Sequence, residues 1–153
     1  MKSKKCNGMV DISDKTVTKR RAIASATISF EKSAFALFIK QGSPKGDVLE
    51  TAKIAGIMAA KSTPAILPLC HLLALDKVKV EFAIEKSKRE IIATAEVIST
   101  GKTGVEMEAL TAVSAACLTI YDMMKWAGQT MTISNVRLLH KSGGKSGTFE
   151  RKR

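Results

Sequence analysis

The 153-residue sequence is poor in aromatic rings, in acidic charge and in cysteine. Aromatic residues make up 5% of the chain. Trp126 and Tyr121 fall on a helical stretch, so no aromatic platform forms on a strand face, as stacked single-stranded nucleic acid would need. Cys6, Cys70 and Cys117 are odd in number and lack CxxC spacing, which argues against a disulfide framework or a zinc knuckle. The longest apolar run, from Ala65 to Leu75, is too short to span a bilayer and contains His71. No apolar stretch follows the charged N-terminus as in a secretory signal. A soluble protein of a reducing compartment, the cytoplasm, is expected.

What the chain has in excess is positive charge. Lys and Arg number 25 against 14 Asp and Glu, a formal net of +11. Such a field favours an anionic partner: nucleic acid, a phosphorylated metabolite or an acidic membrane. Part of it sits at the ends, in Lys2, Lys4, Lys5 and residues 151–153, where charge commonly serves solubility. The apolar fraction of 45% suits a globular aliphatic core, and the length suits one domain over residues 1–153. Within it, residues 1–21 and 148–153 are expected to be only partly ordered.

Two glycine strings carry the tail of a P-loop, Gly101-Lys102-Thr103 and Gly144-Lys145-Ser146. The full motif needs a glycine five residues before its last one, where the chain turns over the phosphates. Those positions hold Glu96 and Leu139, so neither string is a P-loop. Thr103 and Glu106 have capping-box spacing, so a helix is expected to start there with Thr103 as its cap. Gly101 and Gly104 beside Lys102, and Lys141 and Lys145 in the second string, remain plausible anion holders.

The pattern predicts strands over 22–30, 77–86, 91–98 and 131–139. Helices are expected over 33–39, from Asp47 to about 61, and from 105 to about 127. Ala52, Ala55, Gly56 and Ala59 would form a narrow face on the second helix, open to close packing. The order β-α-α-β-β-α-β implies an α+β fold, an antiparallel sheet with helices packed on one face. On the long helix Asp122 and Lys125 stand one turn apart. Glu108 lies 14 residues before Asp122 and about 21 Å from it along the axis. One small molecule cannot touch both on one helix, so either they serve different jobs or two chains meet and each site borrows from its neighbour.

Several separated strings together resemble one family, MoaC, the cyclic pyranopterin monophosphate synthases of molybdenum-cofactor biosynthesis. They are Met9-Val10-Asp11, Lys45-Gly46-Asp47-Val48, residues 52–57, Leu69-Cys70-His71, residues 100–110, residues 119–123 and residues 141–147. The resemblance implies a ferredoxin-like fold assembled as a hexamer, a trimer of dimers with sites at subunit interfaces. The reaction it implies converts 3′,8-cyclo-7,8-dihydro-GTP to cyclic pyranopterin monophosphate with release of pyrophosphate, catalysed by a lyase. Asp122, Lys125 and Lys45 would be catalytic. Leu69, Cys70, His71, Met107, Glu108, Glu106, Lys61, Lys145, Arg20 and Asp11 would hold substrate. No cofactor and no metal ligands are implied, and nothing in the sequence indicates magnesium. A membrane or nucleic-acid partner is not expected; the alternative to the enzyme is a small basic nucleic-acid-binding domain. Leu72 stands where the family usually has proline, and Arg21 where it tends to have an acid.

Overall fold

The computed structural model describes residues 7–152; Lys2, Lys4, Lys5, Cys6 and Arg153 lie outside them. The elements are β1 (Thr18–Ser29), α1 (Lys32–Gln41), α2 (Val48–Lys61), α3 (Thr63–Ile66), β2 (Lys77–Glu85), β3 (Glu90–Gly101), α4 (Glu106–Met124), β4 (Thr132–Ser142) and β5 (Phe149–Glu150). They build one sheet in the order β2-β3-β1-β4-β5. Every pairing is antiparallel. β3 therefore lies between β1 and β2, the split arrangement of ferredoxin-like folds.

The helices approach this sheet closely because the facing residues are small. Ala22, Ala24 and Ala26 of β1 stand opposite Val97, Ala95 and Ala93 of β3, and all six are fully buried. Ala109, Ala112, Val113 and Ala116 of α4 are fully buried with them, and α4 packs over both strands. The close α2–α4 seam is also a matter of size. A Cβ on Gly56 would stand 3.0 Å from the Ala112 carbonyl oxygen. The buried line on α2 is Val48, Ala52, Gly56 and Ala60, at strict four-residue spacing, so Ala55 and Ala59 fall at its margin. Asp47 caps this helix as expected, accepting from the Glu50 N–H at 2.9 Å.

Three expectations are corrected. β1 begins at Thr18 rather than at residue 22, because it is the central strand. Both neighbours extend its pairing, Thr18 against Gly101 and Arg21 against Ser142. The chain end also carries structure, since Phe149 and Glu150 pair with Lys141 and His140. Within the two stretches expected to be only partly ordered, residues 18–21 and 149–150 are thus in strands. The long helix ends at Met124, where the Ser43 hydroxyl donates to the Met123 carbonyl at 2.7 Å.

Candidate active site

β1 decides where the two glycine strings go. Its partners β3 and β4 both finish beside its first residues, so residues 101–104 and 143–147 leave the sheet side by side. Together they line one cavity of about 190 Å³, with Lys15, Arg20, Arg21, Lys102, Lys141 and Lys145 as its cations. Neither string is a P-loop; facing each other, they make one cation-lined hollow. Glycine is required where the second string turns. Gly143 has φ 97°, and a Cβ there would fall 2.2 Å from the Lys19 carbonyl oxygen.

The capping box does not form. Val105, not Thr103, precedes the first turn of α4, and no side chain caps it. Glu106 instead bonds the Lys141 ammonium at 2.8 Å. A charge-assisted bond to an ammonium outweighs a neutral cap. The Glu106 carboxylate folds over Gly104, lying where a Cβ at that position would be.

A second cavity, about 350 Å³, shares Lys15, Thr103, Gly104 and Glu106 with the first. It continues along Val10, Leu69, Cys70, His71, Met107 and Glu108. His71 donates from Nε2 to the Val10 carbonyl at 2.8 Å, which draws the N-terminal segment across the cavity. Glu108 is 3% exposed, and burial pushes its carboxyl above the ordinary value, with Glu106 adding to the effect. Burial, and then Glu108, push the Cys70 thiol up as well. A thiol shifted that way is a poor nucleophile.

Not all the expected residues converge here. Asp11 accepts from the Ser13 backbone and hydroxyl at 2.9 and 2.6 Å, shaping the N-terminal turn, and lines neither cavity. Lys61 also lines neither; it ends α2 on the side where α4 begins.

Lys45, Asp122 and Lys125 come together at the far end of α4. Asp122 bonds Lys45 Nζ at 2.6 Å and Lys125 Nζ at 2.8 Å. A tight turn brings Lys45 there, with the Gly46 N–H on the Ser43 carbonyl and Gly46 at φ 121°. The two ammonium groups, Lys125 first, hold the Asp122 carboxyl down at about 2. Asp122 in turn raises the Lys125 ammonium. All three side chains are about half exposed. Such pairs contribute little to stability.

Residues 9–144 match the MoaC family. The chain belongs to that family. It is 51% identical over 144 residues to cyclic pyranopterin monophosphate synthase 2 of Mycobacterium tuberculosis (strain ATCC 25618 / H37Rv), covering 94% of this chain and 85% of that protein. Against the cyclic pyranopterin monophosphate synthase of Methylobacterium sp. (strain 4-46) the identity is 53% over 141 residues, 92% of this chain and 88% of the relative. The protein of that name in Pelotomaculum thermopropionicum is 49% identical over 144 residues, 94% and 85%. In this MoaC chain Leu72 is 85% exposed, so no core packing restricts the departure from proline. Arg21 bonds Glu96 at 2.6 Å and lines the first cavity. Lys15 and Thr16 also line it, and neither carries a motif that would single it out in the sequence. Among the described residues, no helix is long and apolar enough to cross a membrane.

Proposed function

We infer that the chain is a cyclic pyranopterin monophosphate synthase of molybdenum-cofactor biosynthesis. It converts 3′,8-cyclo-7,8-dihydro-GTP to cyclic pyranopterin monophosphate and releases pyrophosphate. The family match carries the reading, and one structural observation fits it closely: two glycine strings distant in sequence meet in a hollow lined by six cations. A triphosphate needs such a site. As a substrate hydroxyl attacks the α-phosphorus, charge builds on the departing pyrophosphate, and fixed ammonium groups stabilise it. The alternative of a nucleic-acid-binding domain has no support in the family match.

Rearranging the purine-derived ring needs proton transfers. Asp122, Lys45 and Lys125 are the groups assigned to them. Asp122 stays ionised at neutral pH, holds both ammonium groups in place and takes a proton only transiently. Lys45 and Lys125 are the donors. His71, Cys70, Leu69, Met107 and Glu108 form the wall that receives the ring. The reaction in this reading uses no resident cofactor.

The trio lies one α4 length away from the cavities, so the complete site draws on two chains of a hexamer built as a trimer of dimers, in the cytoplasm. Incubation with 3′,8-cyclo-7,8-dihydro-GTP and detection of pyrophosphate tests the reading. Pyrophosphate release dependent on the protein supports it. RNA binding with a steep salt dependence and no turnover refutes it.

A further inference from the structure

We propose that Arg20 is a positioning residue, a clamp that fastens the two glycine strings together and so sets the spacing of Lys102 and Lys145. The proposal rests on reading the first cavity as the phosphate subsite, and assigns to Arg20 a role other than direct phosphate contact.

The geometry points this way from three sides. Arg20 lies on β1 opposite Ser99 of β3, just before that strand opens into the first glycine string. Its side chain reaches along that string, Nε donating to the Gly101 carbonyl and Nη2 to the Lys102 carbonyl, both at 3.3 Å. The Nη1 end of its guanidinium also abuts the second string. A Cβ on Gly144 would sit 1.7 Å from Nη1, 2.6 Å from Cζ and 3.0 Å from Nη2. Gly144, at φ 76°, thus leaves free the space that the Nη1 end of Arg20 occupies. The next residue along is Lys145. One planar group holds two loops that are about forty residues apart in the chain.

Two donors of the fork face backbone carbonyls, not the cavity. A phosphate ligand would present them to the anion. Lysine carries the same charge but has no planar fork, so it cannot span two carbonyls and reach the Gly144 turn at once. That difference separates a clamp from a charge.

The test is calorimetric titration of the assembled protein with inorganic tripolyphosphate, fold being checked by circular dichroism, alongside pyrophosphate release. Arg20→Lys and Arg20→Ala should weaken binding alike, by roughly tenfold or more, the scale of a lost charge-assisted contact. KM should rise more than kcat falls. Lys145→Ala should cost roughly tenfold in the normal protein but under about twofold on top of Arg20→Ala, because the lysine is then already misplaced. Gly144→Ala, with Arg20 untouched, should weaken tripolyphosphate binding by roughly fivefold or more, which covers the case of an Arg20 variant that does not fold. Near-normal affinity in Arg20→Lys, or Arg20→Ala and Lys145→Ala effects that simply multiply, overturns the clamp and leaves the enzyme reading standing. A normal protein that turns over substrate yet ignores tripolyphosphate overturns the phosphate assignment and the clamp with it.

Discussion

The two ends of α4 meet their surroundings in opposite ways. At its start Glu108 is buried, Glu106 is held by Lys141, and two joined cavities open between glycine strings and the Leu69–His71 turn. At its end Asp122 and its two lysines stand about half exposed. In the proposed function the first end receives the charged substrate and the second presents the reacting groups. About 21 Å of helix separates Glu108 from Asp122. The contrast teaches that, if the proposed roles hold, holding and reacting belong to different ends of one helix. On the reading proposed above, a second copy brings its Asp122 end to the first copy's hollow.

The largest effect should come from the reactive end. Asp122→Asn keeps shape and hydrogen-bonding reach but loses the charge that fixes Lys45 and Lys125. Turnover should fall roughly 100-fold or more, the usual scale for lost proton transfer, while the dissociation constant for substrate barely moves. Adding Lys125→Ala should make it little worse, since groups that act as a unit are not additive. A large loss of substrate affinity in Asp122→Asn would erase the contrast between the ends.

At the receiving end the mirror pattern is expected. Lys145→Ala should raise KM roughly tenfold with a smaller change in kcat, and leave the melting temperature alone. Steady-state kinetics beside a melting curve would show whether the split holds.

Gly56 ties the ends together by seating α2 on α4. Gly56→Ala gains about 1 kcal/mol of helix propensity. The new Cβ presses on the Ala112 carbonyl, backbone of a buried helix, at a cost of about 1–3 kcal/mol. A net loss of about 1 kcal/mol should appear in urea denaturation, with m unchanged. A gain in stability would show that the seam has slack.

The smallest effect concerns Glu108. Its folded carboxyl is raised above 4.5 by burial, so the fold favours the protonated acid. Stability is therefore lost as pH rises from 4.5 through the raised folded value. Glu108→Gln should melt higher than the normal protein at pH 7 and no higher at pH 4, with weaker turnover. Equal melting at both pH values would mean the carboxylate is solvated after all.

Local signals made much of the fold legible. Alternation marked β2, and Asp47 announced the start of α2. Helical spacing placed Asp122 and Lys125 together, but Lys45 joined them only through the resemblance, because it arrives from a turn 77 residues away. What stayed hidden was long-range pairing. Nothing near residues 18–21 says that they will be the central strand, so neither the early start of β1 nor the meeting of the glycine strings could be read from local pattern. Thr103 and Glu106 misled for a related reason. Their spacing satisfies a cap, but Lys141, 35 residues on, offers Glu106 a stronger partner. Phe149 and Glu150 are too short a run to announce a strand without β4 beside them.

The claim that each site takes its hollow from one chain and its reactive end from another has a direct measurement. Asp122→Asn and Lys145→Ala, each nearly inactive at low substrate, are mixed one to one, unfolded together and reassembled. Pairing at random through a two-fold interface makes half the pairs mixed, and each mixed pair holds one site with both halves intact. Pyrophosphate release should return to roughly a quarter of normal. Activity that stays at the level of the separate variants, in assemblies shown by mass spectrometry to contain both chains, would place the whole site within one chain and contradict the division between the two ends of α4.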